Sequence, residues 1–87
     1  MTFDIRFKPS VEKDLRSLPK TIVRRVVQKV EALADDPLPV QSRKLRGTEQ
    51  LYRVRVGDYR VVYQVDSRRK LVTIHHVRHR SEVYKGL

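Results

Sequence analysis

The spacing of apolar residues changes period along this chain, and each change marks an element. Residues 2–7 alternate, which puts Phe3, Ile5 and Phe7 on one side of an expected strand. Pro9 and Ser10 interrupt it. Ser10 is the expected N-cap of a short helix, with Glu12 in its first turn, Val11, Leu15 and Leu18 at helical spacing, and its end near Pro19. Residues 20–34 then carry Ile22, Val23, Val26, Val27, Val30 and Leu33 as one apolar stripe, with Arg24, Arg25, Gln28 and Glu31 on the wet side. Asp35-Asp36-Pro37 stops this second helix, and the junction at Leu18-Pro19 makes the two a helical hairpin. Residues 37–50 contain Pro37, Pro39 and Gly47, have no period, and read as a connecting loop, basic at Arg43, Lys44 and Arg46. Alternation returns in residues 51–56, 59–65 and 70–77, three expected strands.

The short link between the first two of these strands fixes a register. Gly57-Asp58 is a two-residue connection led by glycine, which suits a type II′ hairpin. Val56 then faces Tyr59, Arg55 faces Arg60, Val54 faces Val61, Arg53 faces Val62 and Tyr52 faces Tyr63. Tyr52, Val54, Val56, Tyr59, Val61, Tyr63 and Val65 share one side, expected to pack under the helices, so these tyrosines read as core. The other side carries Arg53, Arg55 and Arg60. Two arginines placed directly opposite destabilise a sheet, and an anion between them removes the problem. In the last strand Val72, Ile74, His76 and Arg78 share one parity, and Leu71, Thr73, His75, Val77 and His79 the other; pattern alone leaves open which faces the helices.

Charge strengthens the expectation of an anionic partner. The chain has 87 residues, 39% hydrophobic and 34% charged, which suits one folded domain over 1–87. Its net charge is +10, unevenly placed: 8 basic and 6 acidic residues in 1–41, against 12 and 4 in 42–87. Clustered cations are rewarded by phosphate contacts and counterion release. Cysteine is absent, which excludes disulfides and thiolate metal sites. No apolar run is long enough to span a bilayer, and the N-terminus lacks a leader's apolar block, so a cytoplasmic protein without membrane association is expected. His75, His76 and His79 do not suggest a metal site, since neighbours on a regular strand point to opposite faces; neither metal nor cofactor is expected. Arg68, Arg69 and Lys70 read as a solvated turn.

Three stretches together resemble a known family: Lys44-Leu45-Arg46-Gly47; Leu51-Tyr52-Arg53-Val54-Arg55-Val56-Gly57-Asp58-Tyr59-Arg60-Val61-Val62-Tyr63; and Val77-Arg78-His79-Arg80-Ser81-Glu82-Val83-Tyr84. They look like the RelE/ParE toxin superfamily of bacterial type II toxin–antitoxin systems, and the likeness runs over nearly the whole chain. It implies an α+β fold, a small antiparallel sheet with the N-terminal strand beside the last one and a two-helix hairpin on one face. The implied element order is β-α-α-β-β-β plus a short C-terminal helix. It also implies a cognate antitoxin as partner and metal-free cleavage of mRNA in the ribosomal A site, with a 2′-hydroxyl attacking the adjacent phosphate.

Carried onto this sequence, the family's basic positions fall on Arg53, Arg55, Arg60 and Arg78, and its C-terminal tyrosine on Tyr84. Cations aimed at phosphate oxygens suit phosphoryl transfer without metal, and Tyr84 would stack on a base or orient the hydroxyl. Lys44, Arg46 and Arg80 are expected RNA contacts. Some RelE-like toxins carry lysines where this chain has Arg53 and Arg55; arginine stays protonated and makes a poor base, so His79 is the candidate for proton transfer. Two other functions fit the same sequence. One is a ParE-like toxin that inhibits DNA gyrase by binding; the other is a non-catalytic nucleic-acid-binding module.

Overall fold

The computed structural model describes residues 2–40, 42–45 and 50–79. It contains β1 (Asp4–Phe7), α1 (Pro9–Arg16), α2 (Lys20–Asp35), β2 (Arg43–Lys44), β3 (Leu51–Val56), β4 (Tyr59–Asp66) and β5 (Leu71–His79). The expected α+β architecture is present: two helices and one five-stranded sheet in the order β1-β5-β4-β3-β2. The expected C-terminal helix lies outside the described residues. No helix among them is long and apolar enough to cross a membrane.

Local chemistry moves the first helix boundary. Ser10 is not the N-cap; Lys8 holds that place in an extended conformation without a side-chain cap, and Pro9 takes the first helical position. Proline fits there because its missing N–H is one that a helix start leaves unbonded anyway. Ser10 donates instead to the His75 carbonyl at 3.5 Å. At the other end the Ser17 hydroxyl and amide both bond the Asp14 carbonyl, closing α1 before Pro19. In α2 the buried stripe is Val26, Val30 and Leu33, narrower than the sequence pattern, since Val27 is 37% exposed. These three meet Val54, Val56, Val61, Tyr63, Val65, Val72, Ile74 and Val77 from the sheet, with Val11 from α1.

Three features of the sheet differ from expectation. First, β1 pairs with β5 in parallel, from Asp4↔Leu71 to Phe7↔Ile74, so the sheet is mixed rather than antiparallel. β3, β4 and β5 alternate in direction, and β1 reaches β5 only by way of the helices, so its orientation follows from the crossover and not from a turn. Second, part of the expected loop is an edge strand: Arg43 pairs with Arg53 and Lys44 with Tyr52. A two-residue strand has no period to read. Third, the β4–β5 register slips between Val62 and Tyr63; Val62 faces His76 while Tyr63 faces Ile74, leaving His75 as an extra residue. This bulge resolves the parity of the last strand by splitting it. Val72 and Ile74 face the core before the bulge, and Val77 after it.

The β3–β4 register matches the sequence reading at every pair, and Gly57 occupies the turn at φ +60. Tyr63 is fully buried and donates to the Pro37 carbonyl at 2.8 Å. Burial pushes its phenol up to about 12. Asp66 accepts the Arg69 amide at 3.1 Å and lies 3.9 Å from the Arg69 Nε, holding the β4–β5 turn on the exposed surface.

Candidate functional site

Side chains on the sheet face away from the helices form two rows across the strands. One row is Arg55, Arg60 and Arg78, successive Cα partners on β3, β4 and β5. The second is Arg43, Arg53, Val62 and His76, on β2 to β5. Directly opposed residues have Cα atoms only about 4.5–5.5 Å apart, so the three guanidinium stems of the first row start as close neighbours. Arg43, Arg53, Arg55 and Arg60 line a concavity of about 250 Å³. Arg60 is 9% exposed and Val62 beside it 4%, so the cluster sits in a depression and not on a ridge.

Of these cations, Arg43 is held by backbone carbonyls. Arg43 Nη1 donates to the Val40 and Ser42 carbonyls at 3.1 and 3.0 Å, which aims its guanidinium from the edge strand. Arg53, Arg55 and Arg78 make no ion pair among the described residues. Like charges gathered this way subtract stability from the sheet, and a bound polyanion reverses the sign.

A second concavity, of about 310 Å³, opens on the far side of Arg55, lined by Arg25, Gln28, Lys29, Ala32, Arg55 and Val56. Arg25, expected only on the wet face of α2, reaches the hairpin turn. A Cβ at position 57 would lie 3.4 Å from its Nη1. That is an ordinary contact with the end of a flexible side chain, so it is the left-handed turn, at φ +60, that calls for glycine here.

The expected site residues divide. Arg53, Arg55, Arg60 and Arg78 are brought to one face. Lys44 is not: it pairs with Tyr52, on the helix side of the sheet. His79 is not either. It pairs with Tyr59, one place beyond the core pair Val61–Val77, and its ring meets Tyr59 edge-on at 5.3 Å. Arg46, Arg80 and Tyr84 lie outside the described residues. Sequence reasoning missed Arg43, which lay in a stretch without period, and His76, which strict alternation separated from His75. The bulge turns His76 to the arginine side and so joins it to His75, which alternation already places there and whose Nε2 lies 3.4 Å from Gln64 Oε1. Both imidazoles are held below the usual 6.5, His75 by burial and then Lys8, His76 by burial and then Arg78. Among the described residues no three His, Cys, Asp or Glu side chains gather as a metal-binding group.

Such an arrangement can seat a phosphodiester, with planar donors around its oxygens and a weakly basic imidazole beside them. Comparison with known proteins gives it a lineage. Residues 5–84 match the family model described as the ParE toxin of type II toxin–antitoxin system, parDE. The chain is similar to toxin RelG of Mycobacterium tuberculosis, 34% identical over 89 residues, covering 98% of this chain and 99% of the relative. In structure it is similar to the archaeal RelE–RelB complex of Pyrococcus horikoshii, with TM-score 0.82, 38% identity, and 92% and 97% of the two chains covered. It is also similar to the RelBE2 toxin–antitoxin complex of M. tuberculosis, with TM-score 0.81, 30% identity, and 91% and 99% covered.

Proposed function

The chain belongs to the RelE/ParE toxin family of type II toxin–antitoxin systems, and on that premise we propose that it is an endoribonuclease cutting mRNA in the ribosomal A site. A single observation carries the proposal: the row Arg55–Arg60–Arg78 on one sheet face, joined to a concavity of about 250 Å³ that Arg43, Arg53, Arg55 and Arg60 line. The reaction is metal-free. The 2′-hydroxyl attacks the adjacent phosphorus, the bond to the 5′-oxygen breaks, and a 2′,3′-cyclic phosphate remains.

In this reading Arg53, Arg55, Arg60 and Arg78 hold the non-bridging oxygens and stabilise charge that grows in the transition state. Arg43 closes the concavity from the edge strand. Arg25 and Lys29 receive a flanking phosphate, since Arg55 is a shared wall of both concavities. Arg46 and Arg80 add RNA contacts, and Tyr84 stacks on a base or orients the hydroxyl, as the family resemblance implies. Association with a cognate antitoxin in the cell is supported by the similar structures, which are toxin–antitoxin complexes.

A second reading, inhibition of DNA gyrase by binding, is favoured by the ParE name of the matching family model. One experiment separates the two. Purified protein is added to programmed ribosomes, mRNA 5′ ends are mapped, and gyrase supercoiling is assayed in parallel. Discrete A-site cuts are expected; inhibited supercoiling with intact message overturns the ribonuclease.

A further inference from the structure

The reaction proposed above needs a proton acceptor, and none of its arginines can serve, because guanidinium stays protonated in proteins. Among the described residues the imidazoles on this face are His75, placed there by plain alternation from Leu71 and Thr73, and His76, put there by the β5 bulge. A bulge adds a residue to one strand and re-aims the side chains around it, and such irregularities recur beside active sites. Without it, His76 would continue the parity of Val72 and Ile74 and point into the core. With it, His76 stands across from Val62 and shares its face with Arg78 and Arg60.

We propose that His76 is the general base of this toxin, taking the proton of the attacking 2′-hydroxyl. This rests on the ribonuclease reading and names the group that reading lacks. His76 is a diagonal neighbour of Arg60, at about 7–8 Å between backbones, so a phosphate gripped by Arg60 and Arg78 has its ribose within imidazole reach. His75 is one residue farther from the arginine row, and its ring is directed to Gln64.

The surroundings suit the role. His76 is half-buried, and the charged groups near it are Arg78 and His75 on its own strand, Lys8 ahead of α1, and Asp14 of α1. From β4, Arg60 is its charged diagonal neighbour on the same face, two residues from Val62, which stands opposite it. Asp14 is the acidic member, and one of its oxygens already accepts the Val77 amide at 3.1 Å. A mostly cationic, partly desolvated environment keeps the ring neutral at physiological pH, the form that accepts a proton. In the step itself the 2′-oxygen bonds to phosphorus as its proton passes to a ring nitrogen of His76. The 5′-oxygen leaves with the bonding pair and is protonated by water. The imidazolium then returns its proton to solvent.

The test is single-turnover cleavage by the full chain on programmed ribosomes, from about pH 5 to 8. The wild type, His76→Gln and His76→Ala are compared, each with a thermal melt and a ribosome-binding measurement. The wild-type rate is expected to rise through an imidazole titration below 6.5 and then level off. Both variants are expected to bind normally, to cleave roughly 10²–10⁴-fold more slowly, and to lose that rise; added imidazole is expected to restore part of the His76→Ala rate. Glutamine nearly preserves the ring's volume, so the His76→Gln variant decides if alanine impairs folding. Cleavage by His76→Gln at the wild-type rate with the acid limb intact overturns the proposal alone. Absence of cleavage by the wild type overturns the ribonuclease reading, and the proposal with it.

Discussion

Arg55 of β3 and Arg60 of β4 are Cα partners across the hairpin and line the same concavity, one exposed and one buried. The pair lies one position from the Gly57 turn, where the two strands are held in fixed register. The separation of their Cα atoms is therefore set by the sheet. Side chains that start from fixed neighbouring points need less reorganisation to converge on a phosphate than side chains on separate loops.

Arg60→Lys keeps the charge and removes the planar fork. A hydrogen bond to a charged group contributes about 1.5–3 kcal/mol, so single-turnover cleavage should fall roughly 10–100-fold. The melt should remain cooperative. A loss of activity matched by a loss of folded protein would mean that Arg60 is there for the fold.

Arg25→Ala tests the second concavity. If that cleft takes a phosphate of the same strand, removing one contact lowers the slope of log affinity against log salt by about 0.7–0.9. Binding titrations with single-stranded RNA at several salt concentrations measure it. An unchanged slope would return Arg25 to a solvent-facing role on α2.

His79→Gln should leave the cleavage rate within a few-fold of wild type, because its ring lies against Tyr59 on the opposite side of the sheet. The expected cost is in stability, about 0.5–1.5 kcal/mol for the aromatic contact. A large kinetic loss with unchanged melting would place the catalytic proton on His79 after all.

Tyr63→Phe tests the buried phenol and carries a pH signature. The folded-state phenol titrates at about 12 against 10.0 ordinarily, because burial disfavours the phenolate. A raised folded value means that the unfolded chain loses this proton first. Stability is therefore whole below pH 10.0 and falls as pH rises toward 12. Denaturant melts across that window should show the fall in the wild type and a flatter curve in Tyr63→Phe. At neutral pH the variant should lose about 1 kcal/mol with the bond to the Pro37 carbonyl.

Much of this protein is legible in its residues because the relevant rules are local. Periods of two and 3.6 gave both helices and the long strands, and Gly57-Asp58 fixed every pair of the β3–β4 hairpin, since a two-residue turn allows no slack. That register alone brings Arg53, Arg55 and Arg60 to one face. What tertiary structure decided is whatever depends on backbone groups that side-chain patterns do not report. Arg43 became part of the site because its amide and carbonyl found the edge of β3, and two residues have no period. β1 runs parallel to β5 because the helices carry the chain across the sheet before the meander begins. His76 and His79 exchanged faces relative to strict alternation because one added residue at the bulge inverts the parity of everything after it. Alternation counts residues, whereas a sheet pairs hydrogen bonds, and at His75 the two counts part by one.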